Sequence, residues 1–208
     1  MMVSLMQKMS LRVRGLLNDR SGLAAIEFAF VFPIMVVMYF GVVELASAIA
    51  VDRRATQVAR TLADLTSQMA SVADADIISF GQAAKAIMTP YPRDPLISSV
   101  TEVYVDKISG VARVQWSKGL TISTTGAVTI ATTAPHNPGD VVALPPGLVV
   151  AKGTFVIWSE VSYRYVPTIG YFMAKTGIPF SDTAYTRPRQ VLCVLYPTAG
   201  LTDCAAPK

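Results

Sequence analysis

Residues 20–37 read RSGLAAIEFAFVFPIMVV, a membrane-grade apolar run that carries one carboxylate, Glu27, near its start. The sixteen residues from Phe28 to Val43 carry no charge, and past Glu44 the apolar character resumes through Val51. A continuous helix over 23–51 would be about 44 Å long at 1.5 Å per residue, more than the roughly 30 Å hydrocarbon core of a bilayer. The pattern predicts a single transmembrane helix. A secretory signal peptide competes with it, because Lys8, Arg12, Arg14 and Arg20 precede the run and Ala46-Ser47-Ala48 offers a small-residue cleavage site. Signal peptides carry apolar regions of only about 7–15 residues, and this run is longer.

Composition agrees with one domain plus an anchor. The 208 residues are 52% apolar and 15% charged, against about 25% charged in an average soluble chain. Glu27 and Glu44 lie seventeen positions apart, about 25 Å along a helix, so they fall near opposite edges of the hydrocarbon layer. Both carboxylates can then reach headgroups, and Glu27 would also gain from the positive end of the helix dipole. For Glu44 that account suffices.

Glu27 has a second reading. Gly22, four residues, then Glu27-Phe28 form G-x-x-x-x-E-F at the mouth of an apolar helix, behind a short basic leader. This resembles the processing site of type IV prepilins, in which a membrane-embedded aspartyl peptidase cuts after the glycine on the cytoplasmic side. The resemblance implies cleavage between Gly22 and Leu23. Glu27, costly in lipid, would pair with the free amine of a neighbouring subunit and set register with Phe28 beside it.

The longer run GLAAIEFAFVFPIMVVMYFGVVELA (22–46) is similar to the N-terminal segment of the TadE-like family, minor pilins or pseudopilins of tight-adherence (Flp) pilus systems. Ala24-Ala25, Glu27-Phe28-Ala29, Pro33, Gly41 and Glu44 carry the likeness, with weaker echoes in YRYVP (163–167) and RPR (187–189). Major Flp pilins usually have tyrosine after the glutamate and are far shorter, so Phe28 and the long C-terminal part argue against a shaft subunit. The D-x-S-x-S metal motif of TadG-like relatives does not occur.

The family resemblance implies a bacterial inner-membrane, single-pass protein with a cytoplasmic N-terminus and a periplasmic C-terminal domain, pilus-associated after processing. Its implied partners are the inner membrane, a prepilin peptidase, other pilins or pseudopilins and pilus assembly proteins. Charge alone does not orient the helix: four Lys/Arg precede it and three (Arg53, Arg54, Arg60) follow closely, nearly a tie under the positive-inside rule. Pro33 removes one backbone bond and clashes with the Ala29 carbonyl, which predicts a helix kink. Such a kink serves partner packing or is the ordinary proline of a membrane helix.

Beyond the anchor, Val58, Leu62, Leu65, Met69 and Val72 recur every three or four residues and predict an amphipathic helix. A second helix is expected over Asp76–Met88, with Asp74 as cap and Pro90 and Pro92 ending it. From Leu96 onward the texture is β. VTEVYVDKI (100–108) and VARVQW (111–116) alternate around Ser109-Gly110 and predict a hairpin. Residues 120–133 suggest weak strands, 135–147 a long loop, 148–165 the strongest strand, and QVLCVLY (190–196) the closing strand. The expected fold is α+β: a transmembrane helix extended into an amphipathic helix, then a small exported head with an antiparallel sheet. The expected organisation is 1–22 basic leader, 23–51 transmembrane helix, 52–92 amphipathic helical region and 93–208 β-rich head.

Cys193 and Cys204 are the only cysteines. A bridge between them would be worth about 3 kcal/mol in the chain-entropy model and suits an exported domain; the alternative is two unrelated thiols, Cys193 buried. No catalytic residue, metal site or cofactor is expected. The lone His136 sits in a Pro/Gly loop, and a hydrolase would have to join it to a serine and Asp140. After the anchor the fourteen Lys/Arg and eleven Asp/Glu are spread without blocks, which predicts no nucleic-acid partner. Tyr163–Tyr165 and Arg187–Arg189 are candidates for a contact surface or for fold support. The alternative to a pilin-like assembly component is an uncleaved single-pass envelope protein whose exported domain binds a ligand or scaffolds a complex.

Overall fold

The computed structural model describes residues 22–91, 96–123, 126–146, 148, 151–167 and 177–204. The leader over 1–21 and Pro92 therefore lie outside the described residues. The order of elements is α1 (Leu23–Ser67), α2 (Asp74–Met88), β1 (Ile97–Val105), β2 (Ala112–Ile122), β3 (Val128–Ile130), β4 (Val141–Val142), β5 (Phe155–Tyr165) and β6 (Ile178–Thr186), followed by a 3-10 turn at Pro197–Ala199. Contacts divide the chain into two compact units, Met1–Leu45 and Ala46–Lys208.

In the first unit the described residues form the N-terminal part of α1, which stays helical through Pro33. Its large apolar side chains are exposed, Phe30 at 73% and Val37 at 72%. Among the described residues none buries them.

In the second unit α1 behaves as an ordinary amphipathic helix. Val51, Ala55, Val58, Ala59, Leu62, Ala63 and Thr66 are buried at three- and four-residue spacing, the stripe that turns one helix face inward. Val51, which closes the 23–51 segment, is fully buried in this unit's core. Leu65 and Met69 are partly buried and Val72 completely. Ser159 Oγ of β5 donates to the Ala59 carbonyl at 2.6 Å, a polar tie inside the apolar contact.

The second helix starts earlier than expected. Ala73 occupies the cap position and Asp74 is the first helical residue. Asp76 supplies the capping carboxylate, accepting the Ala73 N–H at 2.8 Å, and Asp74 is left to accept the Tyr196 hydroxyl. Gly81 lets α2 approach β3: a Cβ there would meet Val128 Cγ1 at 2.3 Å.

The sheet is antiparallel in the order β3-β2-β1-β5-β6, with β4 also pairing with β2. With the helices, it gives the α+β arrangement with an apolar N-terminal helix and a β-rich C-terminal region. The expected hairpin is β1–β2, with a bulge at Glu102/Val103. One face carries Val100, Trp116, Leu120, Ile157, Val161 and Tyr163 into the helix-covered core. The other is crossed by the segment after β3, where Val142 and Leu144 pack on Val103, Val105 and Ala112.

Two expectations fail. The stretch over 190–196 is not a strand but irregular chain with isolated bridges, Ser71 to Leu195 and Tyr196 to Leu201. Leu195 exchanges backbone bonds with Ala70 and Val72 rather than with a sheet neighbour. The outer strand beyond β5 is instead β6, IPFSDTAYT, whose polar, half-exposed edge lacks the apolar alternation that signals a strand. The 135–147 loop contains the two-residue β4.

Candidate functional site

The first candidate site is the N-terminal end of α1. Gly22 sits in the turn before the helix, and its carbonyl accepts the Ile26 N–H at 3.1 Å. Leu23 is the first helical residue, so the Gly22–Leu23 bond lies where the regular helix begins. Glu27 is the fifth helical residue and α1 has no acid in its first turn. Dipole stabilisation fades beyond that turn, so the headgroup-plus-dipole account of Glu27 loses one of its two supports. Glu27 is exposed. Phe28 stacks on Phe32, one helical turn away, with ring centroids 5.3 Å apart. The segment thus presents one carboxylate and an aromatic pair on an apolar surface, with no reactive group near them among the described residues.

The second cluster of interest was not read from the sequence. Glu102 on β1 is fully buried. Its Oε1 accepts the Val194 N–H at 2.7 Å and its Oε2 accepts the Trp116 indole N–H at 3.0 Å. The same indole N–H reaches the Val194 carbonyl at 2.9 Å. Burial pushes the Glu102 carboxyl up to about 8 although both hydrogen bonds act in the opposite direction. Beside it Tyr196 stacks on Trp116 at 5.0 Å and lies under the Lys118 ammonium; burial and the Asp74 carboxylate raise its hydroxyl pKa. This node fastens the 193–196 segment to the sheet. Next to it, Cys193 and Cys204 form a disulfide with Cα atoms 5.7 Å apart.

His136 does not meet Asp140 in a catalytic arrangement. Its Nε2 lies 2.9 Å from Glu160 Oε2, and Ser99 Oγ donates to the same oxygen at 3.1 Å. The serine and histidine thus converge on the same carboxylate oxygen. Asp140 instead accepts the Asn137 N–H and closes a turn. Among the described residues no group of three or more His, Cys, Asp or Glu side chains is placed to hold a metal.

Of the remaining candidates, Arg164 and Arg187 are exposed. Tyr163 and Tyr165 are buried. Arg189 donates its backbone N–H to Ser67 and pairs with Asp64 at 2.5 Å.

With the apolar helix and its Gly22–Phe28 entrance described, the comparison with known families is direct: residues 22–64 match the sequence model of the TadE-like protein family. The chain carries a TadE-like segment. The match opens at Gly22 and runs through the exposed part of α1 into its buried stripe, ending before the sheet. Among the described residues α1 is the one helix long and apolar enough to cross a membrane. Helix and family together indicate a membrane location. No curated protein and no solved structure matches the chain.

Proposed function

We propose that this TadE-like chain is a pilin-like component of a tight-adherence pilus assembly system, anchored in the bacterial inner membrane and cleaved after Gly22. The observation that carries the reading is the coincidence of the family match, which begins at Gly22, with an apolar helix whose large side chains are exposed among the described residues. Lipid covers that surface first, and the helices of other pilins or pseudopilins replace it on assembly.

Cleavage would free the Leu23 amine, and Glu27 of an adjacent subunit is the acceptor that would fix register. An unpaired carboxylate at membrane depth costs several kcal/mol, so pairing with an amine is a strong local drive for alignment. Phe28 and Phe32 add an aromatic ridge beside it, and a kink at Pro33 would let the helix bend around its neighbour. The Cys193–Cys204 bridge supports a periplasmic C-terminal unit, because such bonds persist in oxidising compartments. The N-terminal leader is then cytoplasmic, as processing by a prepilin peptidase requires.

The test is the intact mass and N-terminal sequence of the protein recovered from membranes that contain the matching prepilin peptidase. A chain beginning at Leu23 is expected; one still beginning at Met1 rules out processing and leaves an uncleaved envelope protein. The Glu27→Ala variant should insert normally and fail in assembly. Normal piliation in that variant would remove Glu27 from the mechanism.

A further inference from the structure

We propose that the face of the sheet opposite the helices carries a binding site for a neutral saccharide of about one ring in size. This inference is independent of processing at Gly22. The site is a cleft of about 380 Å³ bounded by β1, β5, β6 and the segment that follows β3, near the lower end of the roughly 300–1,000 Å³ typical of small-molecule sites.

Strand register builds its floor. Ser99 stands opposite Gly119 on β2 and opposite Glu160 on β5, and Glu160 stands opposite Thr183 on β6. Residues in such a row share one face, so a hydroxyl, a carboxylate and a second hydroxyl are brought side by side. In the next row Ser162 faces Ser181. Gly119 is needed for the wall: a Cβ there would stand 2.9 Å from Ala131 Cβ. Without a side chain at 119, the segment carrying Ala131 and Pro135 can close down on the sheet.

The chemistry of the lining selects the ligand class. None of the lining residues is a lysine or arginine, so phosphates and carboxylates would meet Glu160 with no cationic side chain of the lining to pair with. Glu160 Oε2 is held by Ser99 and His136. A carboxylate offers about four acceptor sites, so it keeps acceptor capacity while its geometry is fixed in advance. The hydroxyls both donate and accept, which matches a ligand that does both. Ile97 and Pro135 give the apolar contact that the C–H face of a sugar ring requires.

An organic cation fits less well. Glu160 already has the His136 ring against it, and Asp182 stands opposite Val161, in the row that faces the helix-covered core and not the row of Glu160 and Thr183. The aromatic rings nearby stack on one another, His136 on Trp158 at 4.7 Å and Trp158 on Tyr185 at 5.8 Å, instead of forming a cage for an ammonium group.

The experiment is saturation-transfer NMR on the full chain in nanodiscs. The probes are N-acetylglucosamine, galactose and mannose, with N-acetylneuraminic acid and spermidine as charged comparisons. At least one neutral sugar should bind saturably in the millimolar range, and Glu160→Gln should weaken it about tenfold, the loss of one charge-assisted hydrogen bond. Thr183→Trp fills the cleft from an exposed edge-strand position without entering the core, and should abolish binding. Arg189→Ala should change nothing. Absence of a saturable signal from all three neutral sugars would overturn the proposal, as would equal binding by the Thr183→Trp protein. Binding of spermidine in place of sugar would overturn it too.

Discussion

The two parts of α1 belong to one continuous helix and do opposite things. From Leu23 to Leu45 the apolar side chains surround the helix and remain exposed, whereas from Ala46 to Ser67 they narrow to a stripe that is buried in the C-terminal unit. An apolar cylinder needs an environment to supply its contacts; a stripe finds them in its own chain. That difference separates a surface left for other molecules from one used in folding along one continuous element. A change in the first part should alter membrane behaviour or subunit packing and leave the C-terminal unit's stability alone, and a change in the second should do the reverse.

The sharpest contrast sets Leu62 against Phe30. Leu62 is fully buried and Phe30 is 73% exposed. Leu62→Ala should destabilise the C-terminal unit by about 2–5 kcal/mol, the transfer loss plus the cavity left behind. Phe30→Ala should leave its unfolding midpoint unchanged. Chemical denaturation of both variants in the same detergent, followed by tryptophan fluorescence, reads the two outcomes. A midpoint shift for Phe30→Ala comparable to that of Leu62→Ala would end the division.

A crosslink tests the C-terminal unit alone. Cys204→Ser opens the bridge to Cys193 and should cost about 2–3 kcal/mol in the chain-entropy picture. Reducing agent should lower the wild-type midpoint to that of the variant and leave the variant unmoved. If reduction lowers both, some other effect of the reductant is responsible.

What the sequence disclosed follows the same line. The stripe, the hairpin and β5 were legible because each has one dominant period, and the N-terminal helix because its apolar run is long and contiguous. The failures lie where a side chain's polarity and its burial disagree, or where a segment's partners are remote in sequence. In VTEVYV the alternation of Val103 and Val105 sends Glu102 to the opposite face, which looks like solvent when only one face of the strand is assumed covered. Both faces are covered, and Glu102 shares the inner one with Val100. In the 190–196 stretch Cys193, Val194 and Tyr196 are buried while Leu192 is 66% exposed, and the backbone partners are the Ala70–Val72 connection and Glu102, contacts that no local pattern encodes. The cleft around Glu160 was hidden likewise, since Ser99, His136 and Glu160 meet only through strand register and a loop. By contrast, the Gly22–Phe28 motif is contiguous, and contiguity is what made it readable.

Glu102 turns this lesson into a pH experiment. Its carboxyl titrates near 8 in the folded chain and near the ordinary 4.5 when unfolded. Between those values the folded state holds a proton that the unfolded state has released. The contribution is therefore fully present below about pH 4.5 and is lost as pH rises toward about 8, with no further loss above. Glu102→Gln removes the titration but offers only one acceptor oxygen to the Val194 and Trp116 N–H groups, a loss of about 1–3 kcal/mol at low pH. The stability difference between wild type and variant should favour wild type at pH 4.5, shrink through neutrality and turn toward the variant near pH 8. A difference independent of pH would mean that Glu102 is not the titrating group.

The smallest effect is expected where the structure shows its most conspicuous ion pair. Arg189 lies 2.5 Å from Asp64 and ties the chain after β6 to α1, but the two side chains are 59% and 42% exposed. In water of that access the Coulomb gain is screened and offset by the cost of holding two side chains, so exposed pairs contribute about 0–1 kcal/mol. The Arg189 backbone N–H to the Ser67 carbonyl, which orients this segment, survives any side-chain change. Arg189→Ala should therefore shift the unfolding midpoint by less than a third of the Cys204→Ser shift, and raised salt should erase even that. A larger, salt-insensitive loss would show that this face of α1 depends on charge rather than on its apolar stripe, and the distinction between its two parts would have to be redrawn.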